Sequence, residues 1–155
     1  MIEPIKLIGN YRAKVVDVSD PLLAGRIKIQ VYPVMKDIEA EDLPWAVPAM
    51  PLFSGAGAGY GSFCVPAMDS FVFCFFENGD MYQPVYFAEA QTGLHGIPAS
   101  AKTNYPNRKV LKTKNGIEII VDDTKGHETI SILHPKGSSI VFDEDGKVKI
   151  NCQPS

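Results

Sequence analysis

At 155 residues, with 45% hydrophobic and 21% charged residues, the chain is long enough for a domain with an appendage and too apolar to be disordered. A net charge of -3 and the lack of any Lys/Arg cluster argue against a phosphate-backbone ligand, so nucleic acid is not an expected partner. Three cysteines without C-x-x-C spacing exclude a disulfide framework or a zinc knuckle, and the first dozen residues hold no apolar segment long enough for a signal peptide, so folding in a reducing cytoplasm is expected.

Thirteen Gly and twelve Pro punctuate the chain so densely that no dozen residues keep an unbroken helical periodicity, and an all-β fold is expected. After a short arm, Asn10–Val18 reads as a first strand ending at Ser19-Asp20-Pro21. Gly25 opens a second, in which Ile27, Ile29 and Val31 alternate with Arg26, Lys28 and Gln30, so that one side should be solvated. A long connection from Pro33 to Gly61 follows. It carries an acidic patch, Asp37–Asp42, and Trp45 between prolines as an expected anchor. Its glycine-rich Ser54–Gly59 reads as a flexible loop, because no helix follows to make it a phosphate cradle.

The third strand is expected at Gly61–Ala67. The fourth is the near-continuous apolar run Phe71–Phe76, read as buried on both faces. The fifth follows a short polar turn, Glu77-Asn78-Gly79-Asp80, whose Asn-Gly pair suits positive φ angles. Five short strands within residues 1–92 suggest a closed barrel of the OB type. Residues 93–108, rich in Gly, Pro, Ala and Asn, read as a linker.

Residues 109–155 differ in texture. Short strands recur about every ten residues between Asn115-Gly116, Lys125-Gly126, Lys136-Gly137 and Asp145-Gly146. One parity is apolar: Ile117, Ile119, Val121, Ile130, Ile132, Ile140, Phe142, Val148 and Ile150. A meander with one apolar face and nothing in the chain to cover it must bury that face elsewhere, and several copies wrapped around a common axis would do so. These nine residues are therefore the expected trimer interface.

No catalytic constellation is legible. His95, His127 and His134 are far apart and none adjoins a nucleophile motif, so the chain is not expected to be an enzyme or to need a cofactor. Glu77 and Asp80 flank a turn, where acidic residues bond their own backbone, and are read as turn residues rather than a catalytic pair. His134 and Cys152 share the apolar parity of their strands, yet a free Cys there reads as a small hydrophobe and His134 as a strand-end residue, so neither is assigned a metal. The barrel aromatics could stack bases, the alternative reading being an oligonucleotide-binding OB protein, but no basic groove accompanies them.

Several segments together resemble the central spike proteins of contractile injection machines, which include phage baseplate spikes and the VgrG proteins of type VI secretion. The segments are Gly25–Val31, Leu43-Pro44-Trp45-Ala46, Tyr60-Gly61-Ser62-Phe63 through Pro66, Glu77-Asn78-Gly79-Asp80 with Gln83-Pro84-Val85, and Lys112–Gly116 with the Gly-Asp repeats after it. The resemblance implies an OB barrel followed by an intertwined trimeric β-stem (β-helix or β-prism), with no catalysis. It further implies a homotrimer, a baseplate hub above the barrel, a separate PAAR-like tip protein, the target cell envelope as the surface pierced, and location in a virion tail baseplate or a secreted injection particle. The chain departs from some members in lacking a lysozyme-like insertion and a His-x-His pair for an axial ion.

Overall fold

The computed structural model describes residues 6–52, 59–93 and 96–154. The chain divides into two compact units, Met1–Thr92 and Gly93–Ser155. Both are built of strands joined by turns and short 3-10 segments, and no α-helix occurs among the described residues.

The first unit is a closed barrel of β1 (Tyr11–Asp17), β2 (Ile27–Val31), β3 (Trp45–Pro48), β4 (Phe71–Phe76) and β5 (Pro84–Glu89), in the order β1-β2-β3-β5-β4. β1 pairs with β4 to close the ring, and only β3 and β5 run parallel. This is the expected five-stranded OB-like barrel. Its interior is filled by the inward parity of each strand: Ala13 and Val15, then Ile27, Ile29 and Val31, then Ala46, then Val72, Cys74 and Phe76, and Tyr86. Leu7, Met35 and Leu43 complete the core from outside the strands. Leu7 is held there by its N–H donating to the Gly79 carbonyl at 2.9 Å.

Four local expectations are corrected. The third barrel strand is Trp45–Pro48, whereas Gly61–Ala67 forms no strand and leaves Phe63 and Val65 exposed. Pro44 precedes β3 and Pro48 is its last residue, so neither proline interrupts the strand. In between, Ala46 pairs with Ile27 and Val47 with Val85, so this short piece bridges two strands that would otherwise leave the barrel open.

Second, β4 is not buried on both faces. Val72, Cys74 and Phe76 point inward, and Phe71, Phe73 and Phe75 are half-buried outside, because a closed barrel has a single interior. The outer rings shelter one another: Phe73 stacks on Phe87 with centroids 6.1 Å apart, and the Arg12 guanidinium lies 5.5 Å from the Phe73 ring.

Third, the polar parity of β2 is not solvated. Lys28 is buried, its Nζ donating to the Glu41 carbonyl and lying 5.2 Å from the Trp45 ring, while Gln30 Nε2 donates to the carbonyls of Met35 and Ile38. The long connection thus packs down on β2 instead of making an open excursion. Most of its glycine-rich stretch lies outside the described residues, as do the first residues of the arm.

Fourth, the β4–β5 turn is longer than Glu77–Asp80. Asn78 and Gly79 have the expected positive φ (56° and 76°), but they sit in a 3-10 segment, and the connection closes only where Glu77 N–H donates to the Gln83 carbonyl at 3.0 Å. The Asp80 carboxylate accepts the Tyr82 N–H at 2.9 Å, the local backbone bond expected of a turn aspartate.

The second unit is a five-stranded antiparallel meander of β6 (Arg108–Lys112), β7 (Glu118–Asp122), β8 (Thr129–Leu133), β9 (Ser139–Phe142) and β10 (Val148–Asn151), each strand beside its sequence neighbours. All four expected glycine turns are present, with Gly116, Gly126, Gly137 and Gly146 at positive φ. Part of the segment read as a linker belongs to this unit: Ala99–Lys102 forms a 3-10 turn packed against β6, and Ser100 accepts a hydrogen bond from Arg108 Nη1.

Candidate functional site

The register of the meander decides which side chains share a face. Leu111, Ile119, Ile132, Ile140 and Ile150 pair across the five strands as one row, and Lys109, Val121, Ile130, Phe142 and Val148 as the next. Side chains in directly opposed positions lie on one side of a sheet, so these rows form a continuous apolar face with one charged member, Lys109, at the β6 edge. Lys109 is drawn aside by Asp123, 3.3 Å from its Nζ.

All nine residues expected at a subunit interface lie on the exposed side of this sheet, between 39% exposed at Ile140 and 67% at Ile150. Leu111, at 59%, belongs with them and is missed by sequence parity. In Lys109-Val110-Leu111-Lys112 two adjacent apolar residues leave the facing of β6 undecided, and only its pairing with Ile119 resolves it. Burying such half-covered side chains yields on the order of 1 kcal/mol each. An uncovered apolar row structure of this extent is uncommon on a monomer.

The opposite face is polar and partly covered. Ile120 and Asp122 are buried, and Val110, Ser131, Leu133 and Val141 are half-buried. Ile120, Leu133 and Val141, apolar residues at the alternate positions of their strands, lie on this face. Asp122 ties the unit together: its carboxylate accepts from Arg108 Nε at 2.7 Å, Asn104 Nδ2 at 2.9 Å and the Thr124 N–H at 3.1 Å. The Thr124 side chain first, and then the Arg108 bond, hold its carboxyl well below the usual carboxylate range. Lys112 and Glu118 form a second ion pair, whose hydrogen bond lowers the Glu118 carboxyl.

At one end of the apolar face Ile117, Ile132, His134, Ile140, Ile150 and Cys152 line a shallow hollow of about 320 Å³. His134 Nδ1 accepts the Lys136 N–H at 3.2 Å. His127 is remote from it, its Nδ1 2.8 Å from a Glu144 carboxylate oxygen in an exposed pair between two turns. His95 lies outside the described residues. Among the described residues no three His, Cys, Asp or Glu side chains converge as a metal site would require.

Residues 11–89, just over half of the chain and the whole of the strand-built barrel, match the family described as the type VI secretion system/phage-baseplate injector OB domain. The chain belongs to this family. No curated protein matches it. For this injector OB domain the sequence resemblance to baseplate spikes thus holds over the barrel, and membership brings a structural place in a baseplate or injector, assembled with other components of such a particle. The C-terminal sheet falls outside the matched residues, so its role is argued from its own geometry. No helix among the described residues is long and apolar enough to cross a membrane.

Proposed function

We propose that this chain is the central spike of a contractile injection particle, a homotrimer whose barrel sits under a baseplate hub and whose C-terminal sheets form the stem directed at the target envelope. The observation that carries the reading is the pair of uncovered apolar rows on a chain whose barrel is an injector OB domain. Three copies placing those rows toward a shared axis would bury them and leave the polar faces, with their Arg108–Asp122 and Lys112–Glu118 pairs, outward. The open edges of β6 and β10, each with a single neighbouring strand in its sheet, would be paired or covered in the same assembly. The role is mechanical, with no catalytic step and no cofactor, and a separate tip protein completes the point.

Light scattering tests the assembly: the expected mass is three times the 17.0 kDa of one chain. Ile132→Asp or Ile140→Asp, which would place a charge in the covered face, should yield monomers. A monomeric wild-type protein would overturn the trimer, and clearing of peptidoglycan by the purified protein would overturn the non-catalytic role.

A further inference from the structure

We infer that the apolar face of the C-terminal sheet carries a pH switch: His134, at the end where the β6–β7 and β8–β9 turns meet, is neutral while copies of the chain cover the face and releases them when protonated. This inference rests on the proposed trimer and names what regulates its assembly.

The place of His134 follows from the register. Glu118 pairs with Leu133, Leu133 with Ser139 and Ser139 with Asn151, so one residue further on Ile117, His134, Ser138 and Cys152 stand abreast. Alternation puts this row on the apolar side, where all four line the hollow beside Ile132 and Ile150. The imidazole is fixed as well as placed. The His134 N–H donates to the Ser138 carbonyl and the Gly137 N–H to the His134 carbonyl, both at 2.9 Å. Nδ1 accepts the Lys136 N–H at 3.2 Å, a bond that only a ring with no proton on Nδ1 can make.

The groups around the ring do not offset a positive charge. Lys136 shares its turn, and Lys114 stands in the neighbouring β6–β7 turn, which packs through Gly116 against Pro135. β9 contributes the uncharged Ser138 and Ser139, and the end of β10 the Cys152 thiol. Glu118 of β7 and Lys149 of β10 lie on the opposite side of the sheet, paired with Lys112 and Asp143. A proton on His134 would cost the Lys136 bond and, beneath a second copy, leave an unpaired charge among isoleucines. Covering the face thus requires the neutral ring. Free chains take up protons that the covered form excludes, so assembly is favoured above the ordinary imidazole range, at about pH 6.5, and lost as pH falls through it. The fold of each chain survives this window, because Glu118 is held low by Lys112, Asp122 by Thr124 and then Arg108, and Asp143 by Lys149.

The test is sedimentation equilibrium of the full chain at about pH 7.5 and about pH 5.5, either side of the ordinary imidazole range. The trimer dissociation constant should rise about a thousandfold at the lower pH, about tenfold for each of three imidazoles, with the circular dichroism of the strands unchanged. In His134→Gln and His134→Leu the rise should stay below about tenfold, whereas His127→Gln, which removes the exposed Glu144 pair, should follow the wild type. A wild type still wholly trimeric at the lower pH, or one whose constant rises less than about tenfold, would overturn the switch. So would the full rise in either His134 variant, failure of both to assemble at the higher pH, or unfolding of the wild type at the lower. Those outcomes leave the trimer standing; a wild-type chain that is monomeric at both pH values removes the trimer and the switch together.

Discussion

Asp20 and Asp122 do the same work in the two units: each is a buried carboxylate that gathers backbone and side-chain donors from one sequence neighbourhood and an arginine from its own unit. Both carboxyls are held well below the usual range, Asp20 first by the Arg26 hydrogen bond and Asp122 first by Thr124 and then Arg108. A carboxyl whose folded pKa lies below its unfolded value stabilises the fold fully above the unfolded value and loses that contribution as pH falls through the folded one. The melting temperature is therefore expected to be level near neutrality and to drop below about pH 4, where unfolded aspartates begin to protonate. Asp20→Asn should lower the melting temperature at pH 7 and shallow the acid decline, both read from thermal melts across pH. The sequence marks Asp20 only as a turn former beside Pro21. Its pairing with Arg26 depends on the loop doubling back, which no local pattern announces.

Thiol chemistry reports the same distinction between inside and outside. Burial pushes the Cys74 thiol up to about 12, whereas Cys64 and Cys152 are exposed in the single chain. Cys74 should resist a thiol reagent until the barrel unfolds, and Cys64 should react at once. At the centre of the core, Ile29→Ala is expected to cost about 2 to 5 kcal/mol, measured by denaturant unfolding, because Ile29 is fully enclosed by the barrel.

Among the elements, the instructive contrast is between β3 and the C-terminal strands. Each C-terminal strand follows its neighbour through a glycine turn, so pairing is local and alternation alone reveals the face; the nine apolar residues named from parity all lie on one exposed side. β3 pairs with β2 and, in parallel, with the distant β5, and its four residues, the last of them Pro48, carry almost no periodic signal. Gly61–Ala67 has the better strand composition and no partner. Cys152, at the end of the apolar face, makes the face testable without a structure of the assembly. If the proposed trimer forms, Cys152 should be protected from a thiol reagent in the wild-type protein and reactive in Ile132→Asp, with Cys64 as the internal reference.

On the scale of the molecule, the chain joins a barrel that satisfies its own core to a sheet that does not. The barrel encloses its apolar residues and has no open edge, since β1 and β4 close it. The sheet has one partly covered face and one uncovered face, and the proposed trimer follows from that asymmetry. Residues 1–92 alone are accordingly expected to be monomeric, and light scattering of that fragment beside the full chain would show whether association resides in the sheet.

The sequence alone determined what depends on near neighbours: the β class from dense Gly and Pro, the period-two faces of β2 and the C-terminal strands, the positive-φ turns, and the injector resemblance over the barrel. The tertiary structure decided what depends on distant partners: the identity of β3, the burial of Lys28 and Gln30 beneath the long connection, and the side taken by Leu111. The reason is physical. A local pattern records which side chains prefer burial, but which of them obtain it is settled only when a closing barrel, with one interior, chooses among the segments that compete to complete it.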